Sequence, residues 1–174
     1  MIINILIKLI AFLKKMLPLN KINNHKYLNK NQITNLDIAI NSLKNRGYYP
    51  KNIYDIGCFK GIWTKKLLQI FNNSNFFLFD ANSENINELQ KLQKKFSNVQ
   101  YKITLLSDDI KEYEFFKMKS GSSIFEEQTA YPRELEILKS SILSSYITTD
   151  IRNSDNNLIK LDAQGSEIKI LKGL

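Results

Sequence analysis

Residues 52–71 constrain this chain more than any other stretch. Asn52-Ile53-Tyr54-Asp55-Ile56 is a short β-type run. It empties into Gly57-Cys58-Phe59-Lys60-Gly61, and Lys60 to Phe71 then reads as a helix with Ile62, Trp63, Leu67, Ile70 and Phe71 available for a buried side. A strand, a D-x-G-x-x-x-G turn and a helix in immediate succession point to an α/β fold whose helices cross back over a mostly parallel sheet. The next stretch repeats the theme. After a turn at Asn72–Asn75, Phe76-Phe77-Leu78-Phe79 is the near-continuous apolar run of a strand covered on both faces, and Asp80 closes it. Ser83 is placed to cap a helix with apolar positions Ile86, Leu89, Leu92 and Phe96. Val99 to Leu106 reads as a third strand.

The pattern loosens beyond it. Tyr113–Phe116 reads as a fourth strand returning as a hairpin, Ser120–Pro132 as a polar loop, Arg133–Ser145 as a helix and Tyr146–Asp150 as a strand. Leu158–Asp162 is a clearer strand; it runs through Ala163-Gln164-Gly165 into a helix over Ser166–Leu171. Upstream, Ile33, Leu36, Ile40 and Leu43 mark one face of an amphipathic helix, with Gly47 as its stop. Residues 20–30 read as a polar linker and 31–174 as the α/β domain. Residues 1–19 read as an apolar helix ended by Pro18. Met1–Leu17 lacks the leading basic residues and cleavage site of a signal peptide, and Lys8, Lys14 and Lys15 interrupt it too often for a membrane span. Two readings stand for it: peripheral contact with a membrane interface, or docking on its own domain or a partner.

Composition excludes more than it selects. The net charge is +8, yet the lysines are scattered and no stripe alternates Arg with aromatics, which argues against a nucleic-acid partner. One Cys and one His allow no internal disulfide and no zinc site of the usual type, and no acidic metal cluster stands out. A reducing cytoplasm is the natural compartment for such a chain.

In a parallel α/β sheet, ligands sit beyond the carboxyl ends of the strands. Asp80 and Asp162 end their strands, Asp108 follows one closely, and Asp55 sits near the end of the first. A dinucleotide-binding turn needs a second glycine where Phe59 stands, so a pyrophosphate lacks its close backbone approach. An acidic residue beside Gly57 suits instead a ligand with a cationic amino-acid end, such as S-adenosylmethionine, and Gly57 and Gly61 allow the backbone near it. Asp80 stands about 20 residues beyond the glycine pair, the spacing of a ribose-binding acid. Ser107 and Asp108 are candidates for the adenine amino group, with a solvated turn as the alternative. Cys58 has no His near it in sequence and reads as a small loop residue rather than a nucleophile.

Several blocks together resemble the FkbM-type methyltransferases, a family of class I enzymes. They are Asp55-Ile56-Gly57 with Gly61, Phe77-Leu78-Phe79-Asp80, Leu105-Leu106-Ser107-Asp108, Ser120-Gly121-Ser122-Ser123, and Leu158 to Glu167 followed by Leu171-Lys172-Gly173. The last block follows the pattern K-x-D-x-Q-G-x-E leading to L-K-G and is the most specific. The resemblance implies a Rossmann-like class I methyltransferase sheet, S-adenosylmethionine as cofactor, and O-methylation of a sugar, glycan or small hydroxylated metabolite. In that frame Asp55 with the Gly57–Gly61 turn holds the methionine end, Asp80 the ribose, and Ser107 with Asp108 the adenine. Asp162 is the candidate base or substrate ligand, with helix capping as its alternative, and Glu167 is structural. The chain departs from the family in ending its second strand Asp80-Ala81 instead of Glu-Pro, and in placing Cys58-Phe59 where Ala-Asn is common. Family members continue past the L-K-G block, so the resemblance also implies a sheet incomplete at the C terminus. A rival reading follows from that: a non-catalytic pseudoenzyme, or a module that binds a membrane or partner.

Overall fold

The computed structural model describes residues 35–126, 130–147 and 156–174. The N-terminal apolar segment, the linker and most of the expected strand at Tyr146–Asp150 lie outside them.

Helix α1 (Asn35–Asn45) ends in a turn where Gly47 takes φ +81°, the left-handed stop expected of it. The chain then alternates: β1 (Asn52–Ile56), α2 (Ile62–Ile70), β2 (Asn75–Asp80), α3 (Ile86–Lys95), β3 (Val99–Ile103). After a second, smaller sheet it returns as β7 (Asn157–Leu161) and α4 (Glu167–Lys172). Strands β3-β2-β1-β7 form a four-stranded sheet in which every pairing is parallel. The architecture is α/β with a parallel central sheet, compatible with a Rossmann-like arrangement.

Period-2 alternation sorts the side chains of this sheet onto two faces. Ile53, Phe76, Leu78 and Leu158 face one core, where Ile40 of α1, Leu67 and Leu68 of α2, and Leu89 and Leu92 of α3 meet them. Tyr54, Ile56, Phe79, Ile159 and Leu161 face the other, against Leu143 and Ile170 of α4. At the amino ends of three strands the asparagines line up in register. Asn75 Nδ2 donates to Asn52 Oδ1 at 3.1 Å, and Asn52 Nδ2 donates to Asn157 Oδ1 at 2.9 Å. The ladder satisfies polar side chains that the sheet would otherwise bury unpaired.

Several expectations give way to tertiary pairing. Val99–Leu106 is two strands, broken at Thr104: β3 belongs to the parallel sheet, while β4 (Leu105–Ser107) belongs to the smaller one. The expected helix at Arg133–Ser145 is instead β6 (Glu134–Ile142) followed by a 3₁₀ turn over Leu143–Tyr146. It pairs antiparallel with β5 (Glu112–Lys117) and, at its far end, parallel with β4. The hairpin of β5 is thus made with the strand that follows it. The cap after β2 is Asn82, whose side chain accepts from Glu84 N–H at 3.0 Å, in place of Ser83; Ser83–Asn85 is itself a 3₁₀ turn that leads into α3. Ile62, expected on the buried side of α2, is exposed. Among the described residues no helix is long and apolar enough to cross a membrane.

Candidate functional site

The carboxyl ends of β1, β2 and β7 open into one cleft of about 620 Å³, its open mouth included. Ile56, Phe79, Leu105, Leu106, Phe115 and Ile170 give it an apolar floor. Asp80, Asp162, Gln164 and the segment Lys119–Ile124 supply polar groups around it.

Asp80 organises the turn above β1. Its Oδ2 accepts from the Phe59 N–H at 2.6 Å, and its Oδ1 accepts from the Asn82 N–H at 2.9 Å and Asn85 Nδ2 at 3.1 Å. A carboxylate offers about four acceptor positions, so donors among the described residues fill both positions on Oδ1 and one on Oδ2. Burial pushes the Asp80 carboxyl above the usual range, and these three donors oppose that shift. The pull of Asp80 on its amide holds Phe59 at φ +51°, a left-handed conformation that costs a non-glycine residue about 1–3 kcal/mol.

Gly57 is required for a reason internal to the protein. It has φ +68°, and a Cβ there would lie 2.0 Å from the Asp162 carbonyl oxygen. The close approach read from the sequence as one toward a ligand is made to the turn after β7. Gly61, also left-handed at φ +66°, packs on Leu92 of α3, outside the cleft lining.

Asp55 is fully buried on the α2 side of β1. Its Oδ1 accepts from Lys160 Nζ at 2.9 Å and its Oδ2 from Thr64 Oγ1 at 2.6 Å, while Lys160 Nζ also donates to the Gly57 carbonyl at 2.8 Å. Parallel pairing puts Asp55 and Lys160 in register on adjacent strands. Both oxygens of Asp55 are therefore engaged within the protein, away from the cleft. Cys58 is buried; burial first, and then the Asp55 and Asp80 carboxylates, push its thiol well above its ordinary value, which makes it a poor nucleophile.

The turn after β7 mirrors the one after β1. Gln164 is left-handed at φ +49° and Gly165 at φ +103°. Glu167 secures this loop, Oε1 accepting from the Ala163 N–H at 3.1 Å and Oε2 from the Gly165 N–H at 3.0 Å. The helix N-cap position is Ser166. Asp162, whose alternative reading was a cap, instead lines the cleft and accepts from Gln164 Nε2 at 3.2 Å.

Ser107 and Asp108 lie outside the cleft lining. Ser107 Oγ donates to Asp108 Oδ1 and is 3.0 Å from Tyr113 Oη, and Lys169 Nζ donates to Asp108 Oδ1 at 3.2 Å. The Lys169 hydrogen bond is the main cause that holds the Asp108 carboxyl below the usual range. These groups tie the β4–β5 turn to α4; the cleft wall expected from them is made by Thr104, Leu105 and Leu106 instead. Of the residues singled out in the sequence, Gly57, Asp80 and Asp162 come together at the cleft, and Asp55, Gly61, Ser107 and Asp108 support it from outside.

One component had no role assigned from the sequence. Residues Met118–Phe125 form a strap across the cleft. Ser122 Oγ accepts from the Met118 N–H at 2.9 Å and lies 3.5 Å from Asn82 Nδ2, anchoring one side to the loop after β2. Ser123 Oγ donates to the Gln164 carbonyl at 2.8 Å, and the Phe125 ring covers Gly165, anchoring the other side to the loop after β7. Its serine run was visible, but the loop partners were distant in sequence. Among the described residues, no group of three or more His, Cys, Asp or Glu is arranged to hold a metal ion.

No family model matches the chain, and no curated protein matches it. Among solved structures, a crystal structure of coclaurine N-methyltransferase bound to N-methylheliamine and SAH superposes on 43% of this chain and 24% of that one, at 18% identity and a TM-score of 0.32. The match spans about a quarter of that enzyme's length, and a superposition this slight carries no weight for either fold or activity.

Proposed function

We propose that this chain is an S-adenosylmethionine-dependent methyltransferase domain that methylates a hydroxyl group of a small molecule or glycan. The observation that carries the reading is Asp80: a strand-end carboxylate whose Oδ2 has one donor among the described residues, at a cleft formed by the carboxyl ends of parallel strands. The second acceptor position of that oxygen suits one ribose hydroxyl. The apolar wall of Leu105, Leu106, Phe79 and Phe115 suits an adenine ring. Asp55 is fully buried, with Lys160 and Thr64 on its two oxygens, and supports the turn rather than meeting the cofactor's amino-acid end.

When bound, the cofactor supplies an already activated methyl group, so the protein's part is alignment, exclusion of water and removal of one proton. The strap Met118–Phe125 roofs the cleft and limits water. Asp162, the carboxylate beside the mouth and held by Gln164, is our candidate to receive the acceptor's hydroxyl proton or to hold that hydroxyl. Asp55, Gly57 and Lys160 act at one remove, fixing the turn that carries Phe59. Transfer of a labelled methyl group to a panel of hydroxylated acceptors tests this reading. Wild type should label at least one acceptor and Asp162→Asn should lose most of the rate; full activity in Asp162→Asn would remove Asp162 from the chemistry.

A further inference from the structure

At the mouth of the cleft, most polar groups already have partners within the protein. Asp80 has three donors, Asp162 has Gln164, and the Ser122 and Ser123 hydroxyls anchor the strap. Two neighbours on the same strap differ. Lys119 and Ser120 both line the cleft and both are exposed, and neither has a hydrogen bond or ion pair among the described residues. The nearest lysine of the smaller sheet, Lys117, is by contrast held by Glu134 and Glu136 at 2.9 and 3.0 Å. The strap is pinned on both sides, so the Lys119 backbone is fixed over the cleft rather than carried on a loose loop.

From this geometry we infer that the acceptor is acidic: Lys119, with Ser120 beside it, binds a carboxylate or phosphate group of the hydroxylated molecule that is methylated. The inference rests on the methyltransferase reading and adds the substrate's charge to it. Lys119 is exposed at the cleft's edge, so its ammonium draws an anion toward the opening by a charge that water and salt screen in part. It also counters the two carboxylates, Asp80 and Asp162, which would otherwise repel such a substrate. An acidic acceptor is oriented, with its anionic end at the strap and its hydroxyl toward Asp162.

The experiment is calorimetric binding of glucose, glucuronate and glucose 6-phosphate to the full chain, with and without S-adenosylhomocysteine, in wild type, Lys119→Gln and Lys119→Arg. Glucuronate or glucose 6-phosphate should bind roughly tenfold more tightly than glucose to wild type and Lys119→Arg. Which of the two is preferred separates a carboxylate site from a phosphate site. Lys119→Gln should abolish the preference and leave S-adenosylhomocysteine affinity unchanged. Equal binding of the three sugars, no binding of any, or a preference that survives in Lys119→Gln overturns the inference. If S-adenosylhomocysteine fails to bind while the Lys119-dependent preference persists, the methyltransferase reading falls and the anion site stands.

Discussion

Lys160 Nζ bridges Asp55 Oδ1 at 2.9 Å and the carbonyl oxygen of Gly57 at 2.8 Å, so one ammonium joins the carboxyl-terminal end of β1 to the turn that follows it. Asp55 is fully buried and Lys160 is partly buried. Removing only the cation leaves a carboxylate in the core with Thr64 as its remaining partner. Lys160→Met should therefore destabilise the domain by about 3–5 kcal/mol, and Asp55→Asn combined with Lys160→Met should cost less than Lys160→Met alone. Urea denaturation of the three proteins checks this; equal losses in the single and double variants would show that the pair is not coupled.

The two glycines of the D-x-G-x-x-x-G turn should respond differently to alanine. At Gly57 the new methyl would meet backbone, the Asp162 carbonyl at 2.0 Å, and the turn after β7 would have to move. At Gly61 it would meet the end of the Leu92 side chain at 2.3 Å, which can rotate away. Gly61→Ala should cost about 1–2 kcal/mol, mostly for the left-handed backbone. Gly57→Ala should cost more than about 3 kcal/mol and disturb the cleft as well. Thermal denaturation ranks the two, and a smaller loss at Gly57 would contradict the tight β1–β7 contact.

What could be read from the sequence divides along a physical line. The elements of the parallel sheet were legible because Phe76–Phe79 and Leu158–Leu161 are nearly unbroken apolar runs and α3 repeats Leu at helical spacing; each signal is local. Gly57, Asp80 and Asp162 were legible because strand ends locate a cleft without any knowledge of register. Asp55 illustrates the limit. Its neighbour across the sheet is Lys160, more than a hundred residues away, and only pairing register brings the two together. β6 was misread because Glu, Leu and Lys favour helix. The alternation Glu134-Leu135-Glu136-Ile137 carried the opposite signal, and pairing with β5 decided between them. Ser107 and Asp108 followed a strand, but that strand belongs to the smaller sheet, and its end leads to α4.

Tyr54 stacks on Phe77 at 5.2 Å, and its hydroxyl is buried without a hydrogen-bond partner among the described residues. Replacing it with Phe removes an unmet polar group and keeps the ring, so Tyr54→Phe should stabilise the domain by about 1 kcal/mol. Burial also pushes the Tyr54 phenol up to about 12 from its ordinary 10.0. As pH rises through that window the unfolded chain releases the proton while the folded chain retains it, so stability falls with rising pH. Tyr54→Phe should lessen that alkaline loss. Denaturation midpoints across the window decide it, and an unchanged slope would show that the phenol titrates alike in the folded and unfolded chains.

Calorimetric titration of S-adenosylmethionine into the purified chain tests most directly whether Asp80 and the turn it holds form a cofactor site, with Asp80→Ala as the paired protein and circular dichroism confirming that both are folded. Wild type should bind in the micromolar range and Asp80→Ala should lose at least about tenfold, since that substitution removes both the proposed hydroxyl acceptor and the bond to the Phe59 amide. No binding by folded wild type, or equal binding by the two proteins, would contradict a cofactor site there.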